Sequence, residues 1–259
     1  HKVNIQWYPN SVLINALDEE MISLMAQSGC VSLAFAVESG VGRIQQMIKK
    51  RVKLDHCKKM MECMRREGMT IISLFVLGFP GETMEEIEET LRFARELKND
   101  WYIMQIATPL YGTEMYETCQ EEEYLPEQLV ETTGIGNIST PEFTSEEIQE
   151  ILYDQNFKIN FLGNYNYLTG NYEKALQSFE GIARCYPDHF ICKYMCWKIY
   201  TKTNQMEKAD AMFKDLESLY QNNFEQNQGL IEVYNLDISF DGHIHGGTDS
   251  ELSASQKNG

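Results

Sequence analysis

Strand-like and helix-like runs alternate through the first 108 residues, and nothing else in the chain constrains the fold as strongly. Apolar or alternating runs stand at 3–8 (VNIQWY), 31–37 (VSLAFAV), 71–77 (IISLFVL) and 101–108 (WYIMQIAT). Helical patterns fill the intervals at 18–28, 41–50, 54–67 and 84–98. A helix between each strand and the next predicts βαβ crossovers and a parallel sheet. Thr83, with Glu86 three positions on, predicts a capping box at the start of the last helix, and the acidic first turn suits the helix dipole.

Beyond the sheet the character changes. Residues 111–142 are polar and turn-rich, with Pro126, Gly134, Gly136 and Pro141. Helical patterning then continues to about residue 223 and contains an internal repeat. TGNYEKALQSFEGIARCYPDH from Thr169 aligns with TNQMEKADAMFKDLESLYQNN from Thr203, 34 residues on. Ala175 aligns with Ala209, Phe179 with Phe213 and Tyr186 with Tyr220. The period, the small Ala, the Phe four on and Pro187 resemble a pair of tetratricopeptide repeats. Residues 224–259 dilute into Asn, Gln, Gly and Ser and read as a flexible tail, with His243 and His245 in it. The expected organisation is a sheet domain at 1–118, a connecting segment at 119–150, two helical hairpins at 151–223 and the tail.

Composition excludes several roles. The chain has 259 residues, 43% of them hydrophobic, enough for one domain and a smaller one. No apolar run approaches the ~18–20 residues needed to span a bilayer, so no membrane partner is expected. The net charge of −17 argues against nucleic acid, whose binding rests on Lys/Arg patches. The basic clusters at 49–53 and 58–66 read as solvated helix faces. Seven cysteines without a secretory signal suggest a reducing, cytoplasmic setting. None forms a Cys-x2-Cys pair, and Cys192 and Cys196 read as helix core. Because the chain opens on His1 and a strand pattern follows at once, it is expected to be the C-terminal portion of something longer.

In parallel α/β folds ligands gather at the C-terminal ends of the strands. Here those ends carry Tyr8-Pro9-Asn10, Glu38-Ser39-Gly40, Gly78-Phe79-Pro80-Gly81-Glu82 and Thr108-Pro109-Leu110. On the second strand Ser32, Ala34, Ala36 and Glu38 share one face, and Val31, Leu33, Phe35 and Val37 the other. The bulky face suits packing under helices; the small face leaves open space topped by a carboxylate. Asn4, Gln6 and Tyr8 share a face of the first strand, and Gln105 interrupts an apolar run on the fourth. Polar groups pointing into a barrel need partners, which a ligand supplies. The other readings are a solvated edge face for Asn4 and Gln6, a cap or ion pair for Glu38, and a plain turn for Gly-Phe-Pro-Gly.

SGCVSLAFAVESG, MIKKRVKLD, EGMTIISLFVLGFPGETMEEIEETLRFARELKND and TPLYGTEMY, in that order and spacing, resemble the second half of a radical SAM domain. The resemblance covers about residues 2–118 and is nearest to members with a cobalamin-binding domain upstream. It implies an α/β fold: a partial (β/α) barrel, the last four strands of a six-strand, three-quarter barrel, followed here by an all-α helical-repeat region. It also implies S-adenosylmethionine lying across the strand tips. Glu38 and Ser39 match the position that contacts its ribose or amino-acid part. Val76 lies in the motif whose aliphatic side chain packs on adenine, with Gly78 allowing close approach and Glu82 at the rim. Thr108 and Pro109 match the turn that pairs with the adenine edge, and Lys50 a basic position near the cofactor carboxylate. Asn4, Gln6, Tyr8 and Gln105 are the expected contacts to a small-molecule substrate. No catalytic residue and no metal ligand is assigned.

One departure is large. The Cys-x3-Cys-x2-Cys that holds the family's 4Fe–4S cluster does not occur, nor do the first two strands. The chain by itself is therefore expected to bind S-adenosylmethionine weakly or not at all and to be inactive. It also leaves 3–8 as an unpaired edge. The complete enzyme would cleave S-adenosylmethionine reductively to a 5′-deoxyadenosyl radical, and cobalamin-dependent methyl transfer fits the resemblance. The alternative is a non-catalytic module whose helical repeats bind a protein partner. A phosphate-binding barrel is disfavoured by the acidic tips, Glu38 and Glu82.

Overall fold

The computed structural model describes residues 5–9, 11–127 and 138–240. They fall in two units, His1–Gly170 and Asn171–Gly259. In the first unit β1 (Ser32–Glu38), β2 (Thr70–Leu77) and β3 (Trp101–Ile106) make a parallel sheet in that order. The sheet follows from side-chain alternation. Leu33, Phe35 and Val37, Ile71, Phe75 and Leu77, and Tyr102, Met104 and Ile106 are buried on one face. Ser32, Ala34, Ala36 and Glu38, Ile72, Leu74 and Val76, and Trp101, Ile103 and Gln105 line the opposite, more open face. This is the division of faces that the pattern of β1 predicts.

The helices are α1 (Glu19–Gln27), α2 (Gly42–Met47), α3 (Leu54–Arg66), α4 (Met84–Leu97), α5 (Glu114–Glu121), α6 (Ser145–Phe157) and α7 (Tyr165–Leu168). Their apolar stripes meet the bulky face of the sheet. Cys57, Met60, Met61 and Met64 of α3, Ile87, Leu91 and Ala94 of α4, and Ile148 and Leu152 of α6 join one core with the strand residues. The capping box of α4 forms as predicted, with Thr83 and Glu86 each bonding the other's backbone.

The expected first strand is a correction. Residues 5–8 form only an isolated parallel bridge, Trp7 with Cys30. The Trp7 N–H donates to the Gly29 carbonyl and the Val31 N–H to the Trp7 carbonyl, each at 3.0 Å. These bonds reach Gly29, Cys30 and Val31 but not β1 itself, which begins at Ser32, so no ladder forms. Ile5 and Tyr8 accordingly stand 57% and 72% exposed.

The opposite edge of the sheet is sealed by side chains. After α6 one π-type turn (Lys158–Leu162) aims Asn160 at β3. The Asn160 amide donates to the Tyr102 carbonyl and accepts from the Tyr102 N–H, both at 2.8 Å, as a neighbouring strand would. Asn164 donates to the Asp100 carbonyl at 3.2 Å, and Asn166 to the Asp100 carboxylate at 2.7 Å. Asp100 in turn accepts from the Ile71 N–H at 2.7 Å. Asn160, Asn164, Asn166 and Asp100 are all buried, so their bonds replace water. Residues 119–127 and 138–170 therefore stand with the sheet, within the first unit.

The second unit holds α8 (Tyr172–Cys185), α9 (Phe190–Lys202), α10 (Met206–Asn222) and α11 (Phe224–Val233). Its core includes Ala175, Phe179, Met195, Cys196, Ile199, Ala209 and Leu216. Cys192 is buried there too, its thiol donating to the Phe179 carbonyl at 3.0 Å. The stretch 224–240, expected as the start of a tail, instead forms α11 and a return segment. Phe224 packs edge-on against Tyr220, and Ile231, Leu236 and Ile238 are buried, so this stretch has apolar anchors that its average composition hides. The expectation for 241–259, with His243 and His245, lies outside the described residues. Among the described residues no helix is long and apolar enough to cross a membrane.

Replacing Asn160 by Leu leaves both backbone groups of Tyr102 buried without a partner. The expected loss, read by urea unfolding of the intact chain, is about 2–4 kcal/mol. A loss below about 0.5 kcal/mol, the level of an ordinary surface change, would show that the amide does not seal the edge.

Candidate functional site

Because the strands are parallel and adjacent, Glu38, Gly78 and Thr108 emerge on one rim. The tip of β1 is irregular. Its register against β2 shifts between Ala36 and Glu38, and Glu38 takes a left-handed φ of 69°. A non-glycine residue there costs roughly 1–2 kcal/mol, and such strain collects at functional sites. The Glu38 carboxylate meets the Lys50 ammonium at 2.9 Å, and both side chains remain partly exposed.

Ser39 lies differently from its expected cofactor contact. It is buried, its hydroxyl 3.0 Å from the Thr90 hydroxyl of α4 and accepting from the Val41 N–H at 3.1 Å. The Gly40 N–H also donates to Thr90, at 3.1 Å. Gly40 lets the tip approach α4: an added Cβ would stand 2.6 Å from that of Phe93. Gln45 of α2 completes the support. Its amide donates to the Val37 and Ser39 carbonyls at 2.6 Å each and accepts from the Val52 N–H at 3.0 Å.

The tip of β2 is held as tightly. Glu82, expected at the rim, is fully buried. One carboxylate oxygen accepts from the Gly78 and Phe79 N–H groups at 2.8 and 3.0 Å, which draws the side chain under its own turn. The other oxygen has no hydrogen-bond partner. Burial pushes the Glu82 carboxyl up to about 7. Arg43 braces the same turn from α2, donating to the Gly81 carbonyl at 2.7 Å and pairing with Glu86. That guanidinium holds the Glu86 carboxyl down at about 2. The Cβ space beside Gly78 is taken by Ile148 of α6 at 3.0 Å and by Phe143, just before that helix, at 3.6 Å. Gly78 thus serves helix packing and a φ of 78° at this position.

At the third tip the Ala107 N–H bonds the Leu77 carbonyl at 2.9 Å, extending the ladder by one residue. Thr108 is half-buried and Pro109 buried, so the turn's backbone is fixed beside the rim. Val76 and Gln105 are register partners on the open face. Gln6 and Tyr8 are exposed beyond β1, and Asn4 lies outside the described residues. Val76 and Gln105 thus lie on the open face, Glu38 with Lys50 and the Thr108-Pro109 turn stand at the strand tips, and Ser39 and Gly78 are buried. Arg43, Gln45 and Thr90 were not anticipated; for the buried Gln45 and Thr90 a polar residue inside an apolar helical stripe was the available signal.

Residues 1–94 match the family model described as the Radical SAM superfamily. The radical SAM family is supported. An uncharacterized methyltransferase of Pyrococcus horikoshii is 30% identical over 152 residues, covering 58% of this chain and 33% of its own length. Cytidylyl-2-hydroxyethylphosphonate methyltransferase of Streptomyces wedmorensis is 30% identical over 162 residues, covering 58% and 30%. Anaerobic magnesium-protoporphyrin IX monomethyl ester cyclase of Rubrivivax gelatinosus is 22% identical over 116 residues, covering 44% and 21%. By name these relatives are enzymes, and the matched stretch spans about a third of the first two or less.

Glu82 gives a signed pH dependence. Its carboxyl is raised from 4.5 to about 7, so between those values the folded chain keeps a proton that the unfolded chain loses. Its contribution is fully present below 4.5 and is lost as pH rises through about 7. Relative to Glu82→Gln, the parent should lose roughly 2–4 kcal/mol of stability between about pH 4.5 and 8. Parallel stability curves for the two proteins, from chemical denaturation across that range, would contradict it.

Proposed function

We propose that the first unit is part of the barrel of a radical SAM enzyme, and that S-adenosylmethionine lies across its three strand tips. The observation that carries this is the rim itself: a strained Glu38 paired with Lys50, an aliphatic wall at Val76 and a fixed turn at Thr108-Pro109, above an open face floored by Ala34 and Ala36. Small side chains and a carboxylate that retains exposure suit a nucleoside with hydroxyl groups. In this reading Val76 packs on the adenine ring and the backbone at Thr108 and Pro109 meets its edge. Glu38 accepts from the ribose or the amino-acid part. Lys50 orients Glu38 and balances the cofactor carboxylate. Ser39 and Gly78 act by shaping the tips, since Thr90 and Ile148 already occupy the hydroxyl of one and the open side of the other.

The residues present do not fit the cluster that the family implies. Six of the seven cysteines are buried, and the described residues hold no group of three His, Cys, Asp or Glu able to bind a metal ion. Cluster ligands must come from outside them. Bound S-adenosylmethionine would supply, on reductive cleavage, a 5′-deoxyadenosyl radical that takes hydrogen from a substrate. Methyl transfer to a small molecule is the reaction class we favour, because two relatives are named methyltransferases. Cobalamin enters with it on sequence resemblance alone. Gln105, with Gln6 and Tyr8, forms the polar side for the substrate. The free cysteines favour a reducing, cytoplasmic setting. A second reading, an interaction module built on tetratricopeptide-like repeats, is favoured by Ala175 and Ala209, buried at equivalent positions of α8 and α10.

The test is 5′-deoxyadenosine formation by the full-length protein under anaerobic, reducing conditions. Glu38→Gln should lower it about a hundredfold, the scale of a misplaced reactant. Gln105→Leu should leave it unchanged while product from the substrate falls about tenfold or more, a loss of some 1.4 kcal/mol of transition-state stabilisation. No 5′-deoxyadenosine from the parent would overturn the enzyme reading and favour the module. Unchanged product with Gln105→Leu would remove that residue from the substrate side.

A further inference from the structure

The turn after β2 is held by a carboxyl group that is walled off from water. Glu82 is fully buried, and its own N–H donates to the Phe79 carbonyl at 2.9 Å. One carboxyl oxygen clamps the Gly78 and Phe79 N–H groups, at 2.8 and 3.0 Å, while the other has neither a hydrogen-bond partner nor solvent. Such a clamp suits a neutral carboxyl. The two N–H donors favour the anion, but an enclosed oxygen that shares the charge without a partner is costly, and burial prevails.

The charged groups that act on Glu82 come from two other elements. Arg43 of α2 favours the ionised form, and Glu86 of α4 favours the neutral one. On the side of α6, Gly78 meets Phe143 and Ile148, which carry no charge. Arg43 is engaged elsewhere: its guanidinium bonds Glu86 and donates to the Gly81 carbonyl at 2.7 Å. The cation that an ionised Glu82 would turn to is therefore the one that braces the far side of the same turn. Drawing Glu82 and Arg43 together releases the Gly78 and Phe79 N–H groups and the Gly81 carbonyl at once.

The turn is coupled to the rim by the strand ladder. Leu77, next to Gly78, accepts from the Ala107 N–H at 2.9 Å, and Thr108 follows. Val76 stands two residues before Gly78, in register with Gln105. Loosening the turn thus loosens the second tip and, through Leu77, the third.

We propose that Glu82 is a positioning residue that gates the cofactor rim by its protonation: neutral, it locks the β2 turn for binding, and ionised, it moves toward Arg43 and unlocks it. Binding of S-adenosylmethionine is then coupled to retention of one proton and weakens as the pH rises. This rests on the placement of the cofactor proposed above and adds its regulation.

Two measurements on the parent, Glu82→Gln and Arg43→Met test it. Glutamine keeps the acceptor and the volume but does not ionise. The first measurement is amide hydrogen exchange over residues 74–83 of the full chain, read at each pH against the amides of α3 so that the intrinsic rise with pH cancels. From pH 6 to 8.5 the relative exchange of the parent should rise about tenfold or more, the neutral fraction of a group at about 7 falling about thirtyfold over that range. Glu82→Gln should stay flat. Arg43→Met removes the cation that favours ionisation, so it should move the transition to higher pH. The second measurement is calorimetric Kd for S-adenosylmethionine in the full-length protein. The parent should weaken about tenfold or more over the same range relative to Glu82→Gln, which carries the cofactor's own titration. Relative exchange that stays flat in the parent, or rises equally in Glu82→Gln, would overturn the gate. If Glu82→Gln fails to fold, an unmoved transition in Arg43→Met would overturn it. Exchange that diverges while the two affinities fall together would overturn the link to the cofactor. Absence of binding by both proteins at pH 6 would overturn the placement of the cofactor instead, and hydrogen exchange would still decide whether the turn switches.

Discussion

The pairing of the Asn160 side chain with the backbone of Tyr102 decides how the sheet of the first unit can continue. A parallel strand exposes unpaired N–H and C=O groups along its free edge, and burial of those groups without partners is costly. Here one amide side chain supplies both a donor and an acceptor, and Asn164, Asn166 and Asp100 complete the seal. No further strand can pair at Asp100 and Tyr102 while these bonds stand. At the opposite edge only Trp7 bridges, and Val12 adds one bond to the Ala34 carbonyl at 3.3 Å. The sheet is therefore closed at one side and open at the other. That asymmetry leaves the β1 side as the freer edge of the sheet.

The same economy holds at the rim. The tips of β1 and β2 are each fixed from behind by side chains of the supporting helices and turns. Gln45 spans the carbonyls of β1, Thr90 ties Ser39 and Gly40 to α4, and Glu82 folds under the turn of β2 while Arg43 links that turn to α2. A rim fixed in this way keeps Glu38 in a conformation that it would not adopt freely. Preorganised groups lose less entropy when a ligand arrives, so rigidity behind the tips would serve affinity for the cofactor proposed in front of them.

Much of this was legible in the sequence, and the reasons are specific. The face division of β1 could be read because small and bulky residues alternate strictly from Ser32 to Glu38. The capping box of α4 could be read because Thr83 and Glu86 have one spacing and one use. Three things could not be read. The run at 3–8 has strand composition, but composition does not say whether a partner lies on each side. Glu82 looks like a rim acid because glutamates are usually exposed, and only the turn geometry shows that two N–H groups draw it in. The asparagines at 160, 164 and 166 fall in a stretch that reads as part of a helical hairpin, since a side chain that imitates a strand leaves no periodic trace. The return segment at 236–240 was lost in a polar average for a similar reason: its few apolar residues count little until the core beneath them is known.

The central claim is spatial: the ends of β1, β2 and β3 form one side of a cradle for S-adenosylmethionine, and the cradle grows from the β1 side. A structure of the full-length protein with S-adenosylmethionine bound measures this directly. The account predicts the adenine ring against Val76 and the Thr108-Pro109 backbone, Glu38 within hydrogen-bond distance of the ribose or the amino-acid part, and any added strand paired beyond Trp7. The cofactor bound away from this rim, or a new strand paired to β3 in place of Asn160, would contradict it.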